Sequence, residues 1–197
     1  MHMPVAPLAK AALRAEALAR RDSLQPATRA SASAAIAERA IAVIASVRPR
    51  CVAAYLPFGS EVDPGAILTW AAANDIATVV PAMVDAATMV FRAYRPGDPL
   101  GTDAFGIEAP SAEAPTYDPD LIMAPLSAFD RNGHRVGKGL GFYDRIVASL
   151  RAKGHTPLLL GVAFAVQEVG AIPHEPHDVR VDWVVTERET MAFRRAD

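Results

Sequence analysis

Residues Cys51 to Val80 read CVAAYLPFGSEVDPGAILTWAAANDIATVV, and the order of segments in this stretch decides the fold class. Cys51–Leu56 is short, apolar and bounded by prolines, as a buried strand is. Pro64 opens a helix that runs through Ala73, because proline's fixed φ and missing N–H suit a first helical turn. Ile76–Val80 is a second buried run. Strand, helix, strand in that order predicts parallel pairing through a crossover, and so an α/β fold on a mainly parallel sheet. The turn after the first strand carries Phe58, Gly59, Ser60 and Glu61, which places Glu61 near a strand's carboxyl end, where open α/β sheets bind ligands.

Outward from this unit, two helices are expected on the N-terminal side. Leu8–Arg21 is rich in strong helix formers and puts Leu8, Ala12 and Ala15 on one face. From about Ala27 to Val47, Ile36, Ala40, Val43 and Val47 recur at helical spacing beside Ile41 and Ile44, and the helix stops before Pro49. On the C-terminal side, Met89–Tyr94 and Leu121–Pro125 read as strands, separated by a proline-rich, loop-like stretch from Arg95 to Asp120. Ser127–Gly139 is polar and turn-rich. A helix then starts near Gly141, with Tyr143, Val147 and Leu150 on one face and Gly154 at the position after its C-cap. Leu158–Phe164 and Trp183–Val185 complete the expected sheet. No repeat or composition shift divides the chain, so one domain over 1–197 is expected.

The chain has 197 residues, 51% of them hydrophobic, enough for a sizeable core without metals or disulfides. Its net charge of −2 gives no basic field for a polyanion, so nucleic acid is not an expected partner. Cys51 is the single cysteine and cannot form an internal bridge, and no signal-peptide pattern opens the chain; a cytoplasmic setting is expected. Proline, glycine or charge interrupts every apolar run before membrane-spanning length, so no membrane segment is expected.

The chemistry concentrates in Phe129–Asp144, FDRNGHRVGKGLGFYD, which joins a strand to a helix. Gly137, Gly139 and Gly141 let the backbone approach an anion, and the helix N-terminus behind them adds partial positive charge. Arg135 and Lys138 add full charges. Asp144, in the first helical turn, suits Mg²⁺, a hard cation that takes carboxylate and phosphate oxygens. Only three residues separate Gly133 from Gly137, and Gly139 rather than Ser or Thr follows Lys138, so this is not a P-loop. Phe142 stands where the third glycine of a dinucleotide fingerprint would fall.

Other groups are open on composition alone. Lys10 and Arg14 lie one turn apart, and on composition alone they read as a solvated helix face. His174-Glu175-Pro176-His177-Asp178 lacks zincin spacing, and Pro176 breaks the helix that motif needs. Asp178 and Asp182 suit either a second magnesium carboxylate or turn and strand-cap roles. Cys51, with no cationic neighbour in sequence, reads as inert packing.

Taken together, these stretches resemble the 5-formyltetrahydrofolate cyclo-ligase family over nearly the whole chain. The likeness rests on Lys10 with Arg14, Tyr55–Asp63, Phe105–Pro110, the segment Phe129–Asp144, and the tail from Pro173 to Glu187. Leu140 stands where relatives usually carry Gly or a basic residue, and Phe142 replaces the commoner Tyr. The resemblance implies a three-layer α/β/α sandwich, often a monomer, that uses ATP and Mg²⁺ to convert 5-formyltetrahydrofolate to 5,10-methenyltetrahydrofolate. It implies ATP contacts from Lys10, Arg14, Arg135, Gly137, Lys138, Gly139, Gly141, Phe142 and Tyr143, and magnesium ligation by Asp144 and Asp178. Leu56, Phe58, Glu61 and Tyr143 would meet the folate, with Arg135, Tyr143 and Asp144 closest to the reaction. A phosphotransferase with another small acceptor and a non-catalytic folate- or nucleotide-binding regulator are the competing readings of the same cradle.

Overall fold

The computed structural model describes residues 5–86 and 88–193. Two helices, α1 (Val5–Asp22) and α2 (Pro26–Val47), lead into strand β1 (Cys51–Ala53), helix α3 (Gly65–Ala73) and strands β2 (Ala77–Met83) and β3 (Met89–Ala93). After β4 (Leu100–Thr102) and β5 (Glu108–Pro110) come β6 (Leu121–Pro125), β7 (Ala128–Phe129), β8 (Arg135–Val136) and α4 (Phe142–Ala152). Strand β9 (Leu158–Val162), a short 3₁₀ turn at Ala165–Gln167, β10 (Trp183–Val185) and β11 (Thr190–Ala192) follow. The main sheet has the order β11-β10-β9-β6-β1-β2-β3. Pairing is parallel from β10 through β2, and antiparallel only where β11 and β3 close the two edges.

Period-two alternation sorts the strands onto two faces. Val52, Ala54, Leu121, Met123, Leu160 and Val162 face α2 and α3, whose Ile36, Ala40, Ile44, Ile67 and Leu68 complete one core layer. Ala53, Ile122, Ala124, Leu159 and Val184 face the other way, onto Val147 and Leu150 of α4. The result is the three-layer α/β/α sandwich.

Several sequence expectations are corrected. The first strand ends at Ala53 because Ala54–Glu61 turns away to build a loop. The stretch from Arg95 to Asp120 is not wholly irregular: β4 and β5 pair within it as a hairpin, and Pro115–Tyr117 bonds the edge of β3. Ser127–Gly139 likewise holds the β7–β8 hairpin. Helix α2 is long and apolar enough to cross a membrane by length and composition, because only Arg29, Glu38 and Arg39 carry charge along it. Its inward face is the core layer just described.

The largest correction concerns α1. Leu8, Ala12 and Ala15 form its exposed face, with Leu8 55% accessible. The inward face is Leu13 and Ala17, which pack on Ala128, Val136, Val169 and Ile172. Small alanines leave helix orientation undecided by hydrophobicity, and the polar partners of Lys10 and Arg14 settle it. Leu8→Ser should therefore leave unfolding free energy within about 0.5 kcal/mol of the parent. Ala17→Leu should cost about 1–3 kcal/mol by overpacking. Urea unfolding of both variants reads the difference, and the reverse ranking would put the other face inward.

Candidate active site

From β1 the chain passes through α3 to β2 on one side, and from β6 it passes through α4 to β9 on the other. The loops leaving β1 and β6 therefore part at the carboxyl end of the sheet, and this switch in strand order opens the crevice in which α/β proteins bind ligands.

One wall is the loop after β1. Buried Tyr55 donates its hydroxyl hydrogen bond to the Val62 carbonyl at 2.7 Å, which closes the loop on itself. The Phe58 amide donates to Glu61 Oε2 at 3.0 Å, and the Glu61 side chain is only 4% exposed. Phe58 is 74% exposed, and Leu56 lies half-buried just beyond the strand.

The other wall is the glycine-rich loop. Asp130, 1% exposed, accepts from the amides of Asn132, His134 and Ile172 at 2.9, 3.0 and 3.0 Å, and its Oδ2 lies 3.3 Å from His134 Nδ1. One carboxylate thus ties the β7–β8 hairpin to the segment that leads to Asp178. Arg135 on β8 donates to Asp144 Oδ1 at 2.7 Å, and the Val179 amide donates to the same oxygen at 3.0 Å. Gly139 and Gly141 adopt φ of +96° and +63°, the left-handed region that side chains disfavour, and Gly141 is the residue that starts α4. Arg14 reaches in from α1: its Nε donates to the Gly137 carbonyl at 2.7 Å, and a Cβ on Gly139 would lie 3.1 Å from its guanidinium. Beyond Gly139 the loop is braced by Arg145, which donates to the exposed Leu140 carbonyl at 2.7 Å and sits 4.7 Å over the Phe142 ring.

Lys10 reaches the tail from the same helix face, pairing with Asp178 and, at 3.5 Å, with Glu175. Asp178 Oδ2 also accepts the Glu175 amide at 2.7 Å. His174 stacks on His134 with ring centroids 3.9 Å apart. Across the crevice, Lys138 Nζ lies 2.9 Å from Glu61 Oε1 and 5.2 Å above the Phe58 ring.

The protonation pattern follows from these contacts. Burial alone would raise the Asp178 pKa, but the hydrogen bond from Lys10, the Glu175 amide and the Lys10 charge outweigh it and hold the carboxyl below its usual range. Burial pushes the Tyr143 hydroxyl well up, the Glu61 charge pushes it further, and Arg135 opposes both. Tyr143 is therefore a neutral donor near Glu61, not a base. Burial likewise raises the Cys51 thiol to about 11, which removes it as a nucleophile.

The structure thus brings Arg14, Arg135, Gly137, Lys138, Gly139, Gly141, Phe142, Tyr143 and Asp144 around one loop, with Glu61 and Phe58 on the facing wall, and sets Lys10, one turn from Arg14, on the tail acids Glu175 and Asp178. Asp178 stands beside Val179, whose amide holds Asp144. Among the described residues no three His, Cys, Asp or Glu side chains form a ready-made metal cage. Asp182 instead accepts the Leu159 amide at 2.7 Å, the strand-cap role. Sequence reading missed the parts played by Asp130, Tyr55 and Glu175. Asp130 carried a usable signal, since an Asp two residues before Asn132 and three before Gly133 is an Asx-turn pattern.

Fold and crevice together define an α/β enzyme with a cationic, glycine-rich loop at the strand-order switch. Residues 7–187 match the 5-formyltetrahydrofolate cyclo-ligase family, and the chain belongs to it as one of its enzymes. A 5-formyltetrahydrofolate cyclo-ligase from Mycolicibacterium smegmatis is 32% identical over 200 residues, covering 97% of this chain and 100% of that protein. The solved 5,10-methenyltetrahydrofolate synthetase of Aquifex aeolicus is 26% identical with a TM-score of 0.79, covering 95% of this chain and 94% of its own. That of Mycoplasma pneumoniae, at 22% identity, shares the fold with a TM-score of 0.73 over 90% and 98% of the two chains.

The Asp178 shift has a sign that can be measured. A carboxyl with a depressed folded pKa stabilises the fold above its unfolded value of about 3.9, and that contribution is lost as pH falls through the folded value. Asp178→Asn should lower stability by about 1–2 kcal/mol at pH 7. The gap from the parent should shrink as pH drops below about 4. Denaturant unfolding from pH 7 to 2.5 tests this, and a gap independent of pH would remove the Lys10–Asp178 charge pair as its source.

Proposed function

We propose that the enzyme closes the ring of 5-formyltetrahydrofolate to 5,10-methenyltetrahydrofolate at the expense of ATP, releasing ADP and phosphate. The observation that carries this reading is the pair of unlike walls at one crevice: a glycine-rich loop with cations, faced by a shielded carboxylate, Glu61, beside the exposed Phe58 ring. The first suits phosphates, and the second suits a flat heterocycle with N–H donors.

A formamide oxygen leaves poorly. In the proposed reaction that oxygen attacks the γ-phosphorus of ATP and ADP departs. N10 of the folate then attacks the activated carbon, its proton is released, and the C–O bond breaks as inorganic phosphate leaves. No protein nucleophile is needed, so the protein's part is positioning and charge stabilisation. Arg14, Lys10, Arg135 and Lys138 would hold the phosphates with the backbone of Gly137, Gly139 and Gly141, and Phe142 would border them. Leu56, Phe58 and Glu61 would seat the folate, with the neutral Tyr143 hydroxyl donating between the two substrates.

Magnesium fits Asp144. Both protein bonds to that carboxylate fall on Oδ1, which leaves Oδ2 for a cation, and Mg²⁺ takes one or two carboxylates with phosphate oxygens and water rather than a full protein cage. Asp178 Oδ1, which has only His177 Nε2 at 3.9 Å among the described residues, would be the second candidate, since Oδ2 is held by Lys10 and the Glu175 amide. Bound magnesium supplies neutralisation of charge on the transferring phosphoryl group. The same reading makes the protein a cytoplasmic monomer, one domain over 1–197, without nucleic-acid or membrane partners.

Purified protein with 5-formyltetrahydrofolate and MgATP should show a rising methenyl absorbance together with ADP. Consumption of ATP only with another acceptor, or folate binding without turnover, would reject the activity. Asp144→Asn should lower kcat at least about 100-fold, on the scale of losing one well-placed electrostatic stabiliser. Its unfolding midpoint should move by only a few degrees, because Asn keeps an acceptor for the Val179 amide. Parental turnover at low magnesium would remove Asp144 from the metal.

A further inference from the structure

Lys138 belongs to one wall of the crevice and pairs with the other. Its backbone lies between Gly137 and Gly139 in the phosphate-facing loop, yet its ammonium sits 2.9 Å from Glu61 Oε1 and over the Phe58 ring. Glu61 has both oxygens engaged, Oε2 by the Phe58 amide and Oε1 by Lys138. With the Glu61 side chain only 4% exposed under this pair, a ligand whose N–H donors take the Lys138 position on Oε1 has to displace the ammonium. Lys138 is 58% exposed and on a flexible four-carbon stem, the kind of side chain that can change partners. One cation thus stands between two anionic claimants, the carboxylate on one wall and a polyphosphate on the other.

We infer that Lys138 couples the two substrates: a nucleotide polyphosphate draws it from Glu61 and so opens the carboxylate to the folate's N–H donors, and each ligand tightens the other. This rests on the proposed function, since it takes the two walls as the two substrate subsites. The reciprocity follows from linkage, because whichever ligand moves Lys138 first removes a competing contact for the second. Lys138 acts here as a positioning residue, not as a participant in bond making.

Calorimetric titration of the full chain tests it, with 5-formyltetrahydrofolate, a non-hydrolysable ATP analogue and magnesium. In the parent protein, saturating analogue should lower the folate Kd at least about fivefold, and folate should lower the analogue Kd by the same factor. Lys138→Met should bring that factor to about one, and Lys138→Arg should keep most of it. Glu61→Gln, which releases Lys138 without touching the phosphate loop, should bind the analogue alone about threefold or more tightly than the parent. That gain of affinity is one a merely structural role for Glu61 would not produce. A factor of one in the parent, full coupling in Lys138→Met, or no gain in Glu61→Gln would each overturn the inference. An analogue that binds no form of the protein would instead overturn the functional reading beneath it, so the two failures are distinguishable. Thermal melts of the variants beside the titrations identify any loss that comes from unfolding.

Discussion

The crevice exists because strand order reverses between β1 and β6, and the functional geometry depends on that reversal. A parallel sheet whose neighbours are connected on one side only leaves its loops stacked against each other. Here the chain after β1 turns toward α3 and the chain after β6 toward α4, on opposite faces of the sheet. Their loops separate, backbone amides and carbonyls are left without ladder partners, and polar side chains must satisfy them. Tyr55 closes one loop through the Val62 carbonyl, and Asp130 closes the other through three amides. Neither residue needs to touch a ligand to fix where Glu61 and Arg135 stand.

Acids shielded at such a place need amide donors, as Asp130 has, or a cation, because a charge buried without a partner costs several kcal/mol. Glu61 has Lys138, Asp144 has Arg135 and Asp178 has Lys10. Every one of these pairs joins separate segments: two loops, a strand to a helix, and the N-terminal helix to the tail. The packing of α1 follows from the same requirement. Its Leu13 and Ala17 seat on the β7–β8 hairpin, and the residues about one turn before each are then Lys10 and Arg14, delivered to the tail and to the Gly137 carbonyl.

How much of this was legible in the sequence depends on whether the decisive contacts are local. The buried strands were readable because they are apolar on both faces, and α4 was readable from its glycine start, its apolar face and Gly154. The two- and three-residue ladders β4–β5, β7–β8 and β11 were not, since pairing partners rather than local composition create them. Alanine-rich α1 carried the wrong face for the same reason: its orientation is set by groups more than 120 positions away along the chain. The glycine loop, with its cations and Asp144 contiguous in sequence, could be reasoned from residue chemistry alone. The family resemblance put Lys10 and Asp178 in one site, as a nucleotide contact and a metal ligand, but neither their ion pair nor the Lys138–Glu61 pair was legible, because no local pattern records which distant segments meet.

The distribution of charge also says what kind of catalysis the crevice can support. Cys51 begins β1 at the end of the sheet remote from the crevice, with its thiol pushed up to about 11, and Tyr143 holds its proton firmly. Glu61, Asp144 and Asp178 are paired with cations, and Asp130 is held by three amides. Such a site has no ready nucleophile and no unpaired base among these groups, but it has four cations on side chains long enough to exchange partners. That distribution suits the proposed reaction, whose leaving group is made by one substrate acting on another, with anionic ligands displacing the resident acids from Lys and Arg. On the proposed reading, the ion pairs Lys138–Glu61, Arg135–Asp144 and Lys10–Asp178 are the contacts that substrates would replace, and the free energy of that exchange would set how binding at one wall is felt at the other.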